Sequence, residues 1–150
     1  MRSAAFLLAQ VGGHAAAQFA ERLASLRLSP ALAGILRLVR ASEGLSQQTL
    51  GAELRMAPSR LVALIDELEH RGLVERRDQP SDRRRYALHL TPKGHDTLKR
   101  IGQIARAHQL ALCAALSDRE REQLANLLQR IADDQGLRPG VHPGFSRLKP

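Results

Sequence analysis

The sequence predicts a mainly α chain with a small β-ribbon, its N- and C-terminal helices forming a dimerisation region. Three observations predict this. Apolar residues recur three and four apart in six windows, the spacing of amphipathic helices. Helix starts are written out locally: Ser29-Pro30 and Thr91-Pro92 pair a capping hydroxyl with a first-turn proline, and Ser117-Asp118-Arg119-Glu120 has capping-box spacing. Between Leu73 and Leu90 the apolar residues alternate instead, around the turn formers Asp78, Pro80 and Asp82.

The first helix is expected over about residues 3–26, with Phe6, Phe19, Leu23 and Leu26 among its apolar positions. Gly12-Gly13 is its weak point, where it can kink or break. The second carries Leu32, Ile35, Leu36 and Val39 on one face and stops at Gly44. Ser46 opens a short third helix with Leu50 and Leu54 inward. After a turn at Arg55-Met56-Ala57, Pro58 opens a fourth helix to about Arg71, striped by Leu61, Leu64, Ile65 and Leu68 and ended by Gly72 as a C′ residue. Leu73-Val74 and Tyr86-Ala87-Leu88-His89-Leu90 read as strands, joined by a loop longer than a tight turn that projects from the body. The fifth helix is expected from Pro92 to Leu116, with a heptad-like seam of Leu98, Ile101, Ala105, His108, Leu112 and Ala115. The sixth carries Leu124, Leu127, Leu128 and Ile131 and finishes near Gly136.

A helix-turn-helix followed by a hairpin is a winged helix-turn-helix. The expected organisation is one domain over 1–136, with the winged helix at about 30–92 and dimerisation helices at about 3–28 and 92–136. The Pro- and Gly-rich residues 137–150 read as a mobile tail. The end helices carry more apolar surface than the small central unit can cover, so they are expected to pack together and against a second copy. A homodimer would present two recognition helices to successive major-groove faces.

Charge points to the partner. There are 23 Lys+Arg against 15 Asp+Glu, a net charge of +8, and the pI is about 11.1. From Arg71 to Arg106 ten basic and four acidic residues leave a surplus of six, a concentrated footprint for phosphates. A ribbon carrying Arg83, Arg84 and Arg85 suits the minor groove of double-stranded DNA. A membrane-surface protein would set Trp or Phe opposite its charges, and this chain has no Trp and 3 Phe. No stretch approaches the length of a membrane span. The apolar run after Arg2 is too short, and too soon interrupted by Gln10, to read as an export signal. The single cysteine, Cys113, allows no internal disulfide and fits a reducing cytoplasm.

Other chemistry finds little support. His14, His70, His89, His95, His108 and His142 form no His-x-x-x-His pair, and no cysteine cluster has zinc spacing, so neither a metal nor a cofactor is expected. Cys113 reads as a small buried side chain, with no cationic neighbour in sequence to activate it. No nucleophile elbow or phosphate-binding glycine loop is present, and an enzyme is not expected.

Residues 50–94, LGAELRMAPSRLVALIDELEHRGLVERRDQPSDRRRYALHLTPKG, resemble the MarR family of winged-helix transcription regulators. The match includes the helix-turn-helix, the L-E-x-x-G-L-V-x-R junction, the wing D-x-R and the closing L-T-x-x-G. The resemblance implies a homodimer that binds pseudo-palindromic DNA, most often as a repressor, with the helix from Pro58 to Arg71 in the major groove. It implies that Arg84 enters the minor groove, that Asp82 braces it, and that Arg83 and Arg85 meet phosphates. Ser46, Gln47 and Arg77 complete the candidate DNA-contacting set with Arg55, Pro58, Ser59, Arg60, Val62 and Ala63.

This chain departs from the family at three places. Ala57 stands where Ser or Asp commonly caps the recognition helix, a loss on the order of 1 kcal/mol. Arg55 replaces a frequent glycine in the turn. Val62 and Ala63 replace polar residues, leaving Ser59 and Arg60 as hydrogen-bonding readers while the apolar pair can touch thymine methyls. Family members often bind small aromatic anions between the dimerisation helices and the winged helix, and by location His14, Gln18, Arg37 and Arg40 are the candidates. With so few aromatics, a stacking cage for such an effector looks poor. Two other readings stand beside the regulator: an architectural or weakly specific binder reading DNA shape, and a protein-interaction module that has lost DNA binding. The arginine row argues against the second.

Overall fold

The computed structural model describes residues 2–79 and 81–146, without the side chains of Asp82, Arg83, Arg84 and Ser146. Its elements are α1 (Ala4–Leu23), α2 (Pro30–Ala41), α3 (Gln47–Leu54), α4 (Pro58–His70), β1 (Val74–Gln79), β2 (Asp82–Leu90), α5 (Pro92–Leu112) and α6 (Asp118–Asp134). Short 3-10 turns follow α1 at Ala24–Leu26 and close the described chain at Pro143–Ser146.

Local chemistry sets the helix starts. Ser29, Ser46, Thr91 and Ser117 each accept a hydrogen bond from the backbone N–H three residues on, at 2.9 to 3.3 Å. At Ser117 the box is complete, because the Glu120 carboxylate accepts the Ser117 N–H at 2.8 Å. Hydrogen bonds from the Ser117 backbone and then its hydroxyl hold the Glu120 carboxyl below its ordinary range. Helix α4 begins without such a cap: Ala57 makes no side-chain bond, and Pro58 occupies the first turn. Helix α1 runs unbroken through Gly12-Gly13. Each glycine costs about 1 kcal/mol against alanine, and the good helix formers on both sides carry the helix across.

Helix α2 is the centre of the core, buried at Ala31 through Leu36 and again at Val39. Around it lie Leu23, Leu50, Leu54, Leu61, Ile65, Leu68, Val74, Leu88 and Ile101. Leu side chains with no exposure, such as Leu36, Leu50 and Leu68, each contribute about 1.5–3 kcal/mol of burial.

The ribbon extends further than alternation in the sequence indicates. β1 and β2 pair antiparallel from Val74↔Leu90 to Asp78↔Tyr86, then shift register and end at Gln79↔Asp82. The arginine run therefore lies in β2 and not in a long projecting loop. Backbone pairing, once begun, carries the ladder through charged residues whose side chains give no period-two signal. Residues 44–46 add a short third edge: Leu88 N–H donates to Leu45 O and Gly44 N–H to Leu88 O, both at 2.9 Å.

The L-T-x-x-G junction has a steric reason. Thr91 Oγ1 donates to Gly72 O at 2.5 Å, and Thr91 N–H to Leu73 O at 3.1 Å. The first turn of α5 is thereby pressed onto the start of β1. A Cβ at Gly94 would overlap the Leu73 carbonyl oxygen, so only glycine fits.

Helix α1 packs against α5, while α6 has no buried residue. Helix α5 ends at Leu112, one turn before the expected Leu116, and half-buried Cys113 caps it. Where the sequence reads as a mobile tail, residues 137–146 lie against the body, with Val141 and Phe145 packed on the core.

Candidate nucleic-acid interface

Helices α3 and α4 meet through a turn in which Arg55 adopts φ 50° and ψ 41°. A left-handed conformation costs a residue with a Cβ roughly 1–2 kcal/mol. Buried Met56, directly after it, anchors the turn. Arg55 is exposed, as are Pro58, Ser59, Val62 and Ala63, which form the outward edge of the first half of α4. Arg60 is half-buried, and its Nε is buried without a hydrogen-bond partner among the described residues. Its stem is thus embedded beside Ser59 at the N-terminal end of α4.

The second half of α4 is acidic, with Asp66, Glu67 and Glu69 exposed. Carboxylates here would repel a polyanionic partner unless a cation offsets them. Arg76 of β1 offsets part of this charge: its guanidinium donates to Asp66 at 2.6 Å, to Glu69 at 3.1 Å and to the Gln47 amide oxygen at 2.9 Å. Its backbone N–H donates to the second Glu69 oxygen at 3.2 Å. One side chain, 14% exposed, joins α3, α4 and the ribbon. Sequence reading missed Arg76, whose partners Glu69, Asp66 and Gln47 lie 7, 10 and 29 residues away in sequence.

Among the expected DNA contacts, Ser46 is buried and Gln47 half-buried. The Ser46 hydroxyl caps α3 and bonds Thr49 Oγ1 at 2.7 Å. The Gln47 oxygen is taken by Arg76. On the ribbon, Arg77 is exposed and paired with Glu75, and Arg85 is exposed. The side chains of Asp82, Arg83 and Arg84, and with them the brace and the minor-groove arginine, lie outside what the structure describes; their backbone belongs to β2.

Behind this face, between α1, α2 and α5, lies a cavity of about 550 Å³. Arg37 and Arg40 stand on its rim, and Phe19, Leu98, Ile101 and Phe145 form apolar walls. His14 and Gln18 are not part of the lining. Two of the three phenylalanines, Phe19 and Phe145, line this one space although they lie far apart in sequence. His14 instead belongs with Arg22 and His108. The His108 ring stacks 5.4 Å from Phe19, and its Nδ1 is buried without a partner among the described residues. Burial first, then the charges of Arg22 and His14, push the His108 pKa below its ordinary 6.5. No group of three or more His, Cys, Asp or Glu among the described residues could hold a metal ion, and no described helix is long and apolar enough to cross a membrane.

The MarR family sequence model matches residues 28–86. A Thauera aromatica protein named "Putative transcriptional regulatory protein for hcr operon" is 38% identical over 115 residues, covering 76% of this chain and 69% of that protein. The chain belongs to the MarR family. The transcriptional repressor MprA of Escherichia coli (strain K12) is 36% identical over 96 residues, 61% of this chain and 53% of that repressor. The chain thus spans little more than half to two thirds of these relatives. Among solved MarR-fold structures, the transcriptional repressor CouR bound to a 23-mer DNA duplex aligns with TM-score 0.77 and 33% identity, covering 87% of this chain and 92% of that one. The MarR match falls on the unit from α2 to β2, where the helix-turn-helix, the ribbon and Arg76 lie. This MarR chain is a winged-helix transcription regulator by family.

Proposed function

We propose that the protein is a homodimeric transcriptional repressor that binds a pseudo-palindromic operator and is released by a small anionic effector. The observation that carries this reading is the exposed Ser59–Ala63 edge of α4, set beside a cationic ribbon whose Arg76 offsets part of the acidic charge on α4. In this arrangement α4 lies in the major groove, with Ser59 and the outer edge of Arg60 toward base edges and Val62 and Ala63 toward thymine methyls. Arg84 reaches the minor groove, Asp82 braces it, and Arg55, Arg77, Arg83 and Arg85 meet phosphates. The relatives' names support regulation and repression, and the duplex bound by CouR supports DNA as the partner.

Dimerisation has separate support. The accessible surface is 10374 Å², whereas a compact monomer of 16.5 kDa exposes about 7,500 Å². Large apolar side chains are exposed on the end helices: Phe6, Leu7, Leu8 and Val11 of α1 and Leu124, Leu127, Leu128 and Ile131 of α6. A second copy covers them, since patches of this extent mark interaction sites. The cavity beside Arg37 and Arg40 suits an effector with an apolar body and a negative group.

The apolar Val62 and Ala63 favour the second reading, a binder guided by DNA shape alone. Competition separates the two. Genomic fragments enriched by the purified protein are titrated against random duplex at physiological salt. A repressor prefers its own site by at least about a thousandfold; equal competition by random duplex would refute the repressor.

A further inference from the structure

The chain beyond α6 folds back across the winged helix. Gly136 and Gly140, with φ of 66° and 73°, supply its two corners. Between them Leu137 and Arg138 lie beside Glu53, Leu54 and Arg55 at the helix-turn-helix, around a pocket of about 190 Å³. An Arg138 guanidinium nitrogen stands 3.5 Å from the Ala52 carbonyl oxygen. Val141 then packs on the core, and the 3-10 turn at Pro143–Ser146 delivers Phe145 to α2.

Phe145 rests on the bare backbone of Gly34. A Cβ at position 34 would stand 2.5 and 2.7 Å from two carbons of its ring, so the ring uses the space a side chain there would fill. The same ring is a wall of the cavity that holds Arg37 and Arg40. One segment therefore touches both the cavity and the turn that precedes the recognition helix.

We propose that residues 137–146 form a strap whose Phe145 takes the place of an aromatic effector in this cavity, so that ligand and strap compete. The proposal rests on reading the cavity as the effector site. An aromatic carboxylate replaces ring with ring and brings its charge to Arg37 and Arg40, two guanidinium groups on the rim. Expelling Phe145 loosens the strap along its length, including the contacts of Leu137 and Arg138 beside Arg55. Effector binding is thereby coupled to the helix-turn-helix within one chain, through a segment with two discrete arrangements.

The test titrates 2-naphthoate by calorimetry into the unaltered protein, Phe145→Ala, and the double variant Arg37→Ala/Arg40→Ala. Phe145→Ala is expected to bind at least fivefold more tightly than the unaltered protein, and the double variant at least tenfold more weakly. Equal or weaker binding by Phe145→Ala overturns the strap while leaving the cavity reading intact. Failure of 2-naphthoate to bind any form, Phe145→Ala included, overturns the cavity reading and the competition with it. A ligand-free arm uses Gly34→Ala, whose methyl evicts the ring. Hydrogen exchange at the Phe145 amide, bonded to His142 O at 2.9 Å, should then accelerate at least tenfold, and unchanged exchange overturns the seating of the strap on α2.

Discussion

Replacing Arg76 with alanine is the most informative single change, because that side chain holds three elements in one geometry. It removes the hydrogen bond to Gln47 at 2.9 Å and the ion pairs to Asp66 and Glu69 at 2.6 and 3.1 Å. The hydrogen bond is worth about 1 kcal/mol. Each ion pair is worth only about 0.5 kcal/mol, because the carboxylates are 58% and 43% exposed and solvent screens them. The packed aliphatic stem adds about 1 kcal/mol. Arg76→Ala should therefore cost about 2–3 kcal/mol in urea denaturation at fixed protein concentration. DNA affinity should fall by more than folding alone explains, since two carboxylates on α4 lose the cation that partly offsets them near phosphates; about tenfold is expected at physiological salt. Arg77→Ala is the control: its pair with Glu75 is exposed, and its loss should cost no more than about 0.5 kcal/mol. Denaturation midpoints that coincide for the two variants, with Arg76→Ala retaining full affinity by fluorescence anisotropy, would refute the reasoning.

Other consequences are equally direct. Gly94→Ala drives a methyl into the Leu73 carbonyl and should cost several kcal/mol, on the order of 3, as overpacking against backbone does; a thermal melt within a degree of the unaltered protein would contradict the steric account. His108 has a lowered pKa in the folded chain, so the unfolded chain binds its proton more readily. Stability should rise with pH between that lowered value and the ordinary 6.5, and fall as pH drops through this window; His108→Gln should flatten the slope in denaturation curves taken across it. Ser117→Ala removes the α6 capping box and should cost about 1 kcal/mol, read as a lower urea midpoint. Arg84→Ala should weaken operator binding and reduce the salt slope by about 0.9 for each phosphate that the arginine neutralises; an unaltered slope and affinity would remove Arg84 from the interface.

Signals confined to a few neighbouring residues were legible in the sequence. The caps at Ser29, Thr91 and Ser117 were, because donor and acceptor lie three residues apart. The missing cap at Ala57 and the turn at Gly72 follow for the same reason. What eluded sequence reasoning depends on pairings over distance. The extension of β2 to Asp82 comes from its ladder with β1 and not from its own charged residues. The role of Arg76 needs Gln47, which is 29 residues away in sequence. Phe19 and Phe145 enter one cavity only because α1 and the C-terminal segment both reach α2. At Gly12-Gly13 propensity pointed to a weakness that the flanking residues override.

The central claim, that two copies grip one duplex, is tested most directly by native mass spectrometry of the protein with its enriched operator fragment at physiological ionic strength. The account predicts a complex containing two chains and one duplex, with no intermediate carrying a single chain at appreciable abundance. A complex of one chain per duplex, or free duplex alone with protein in excess, would contradict it.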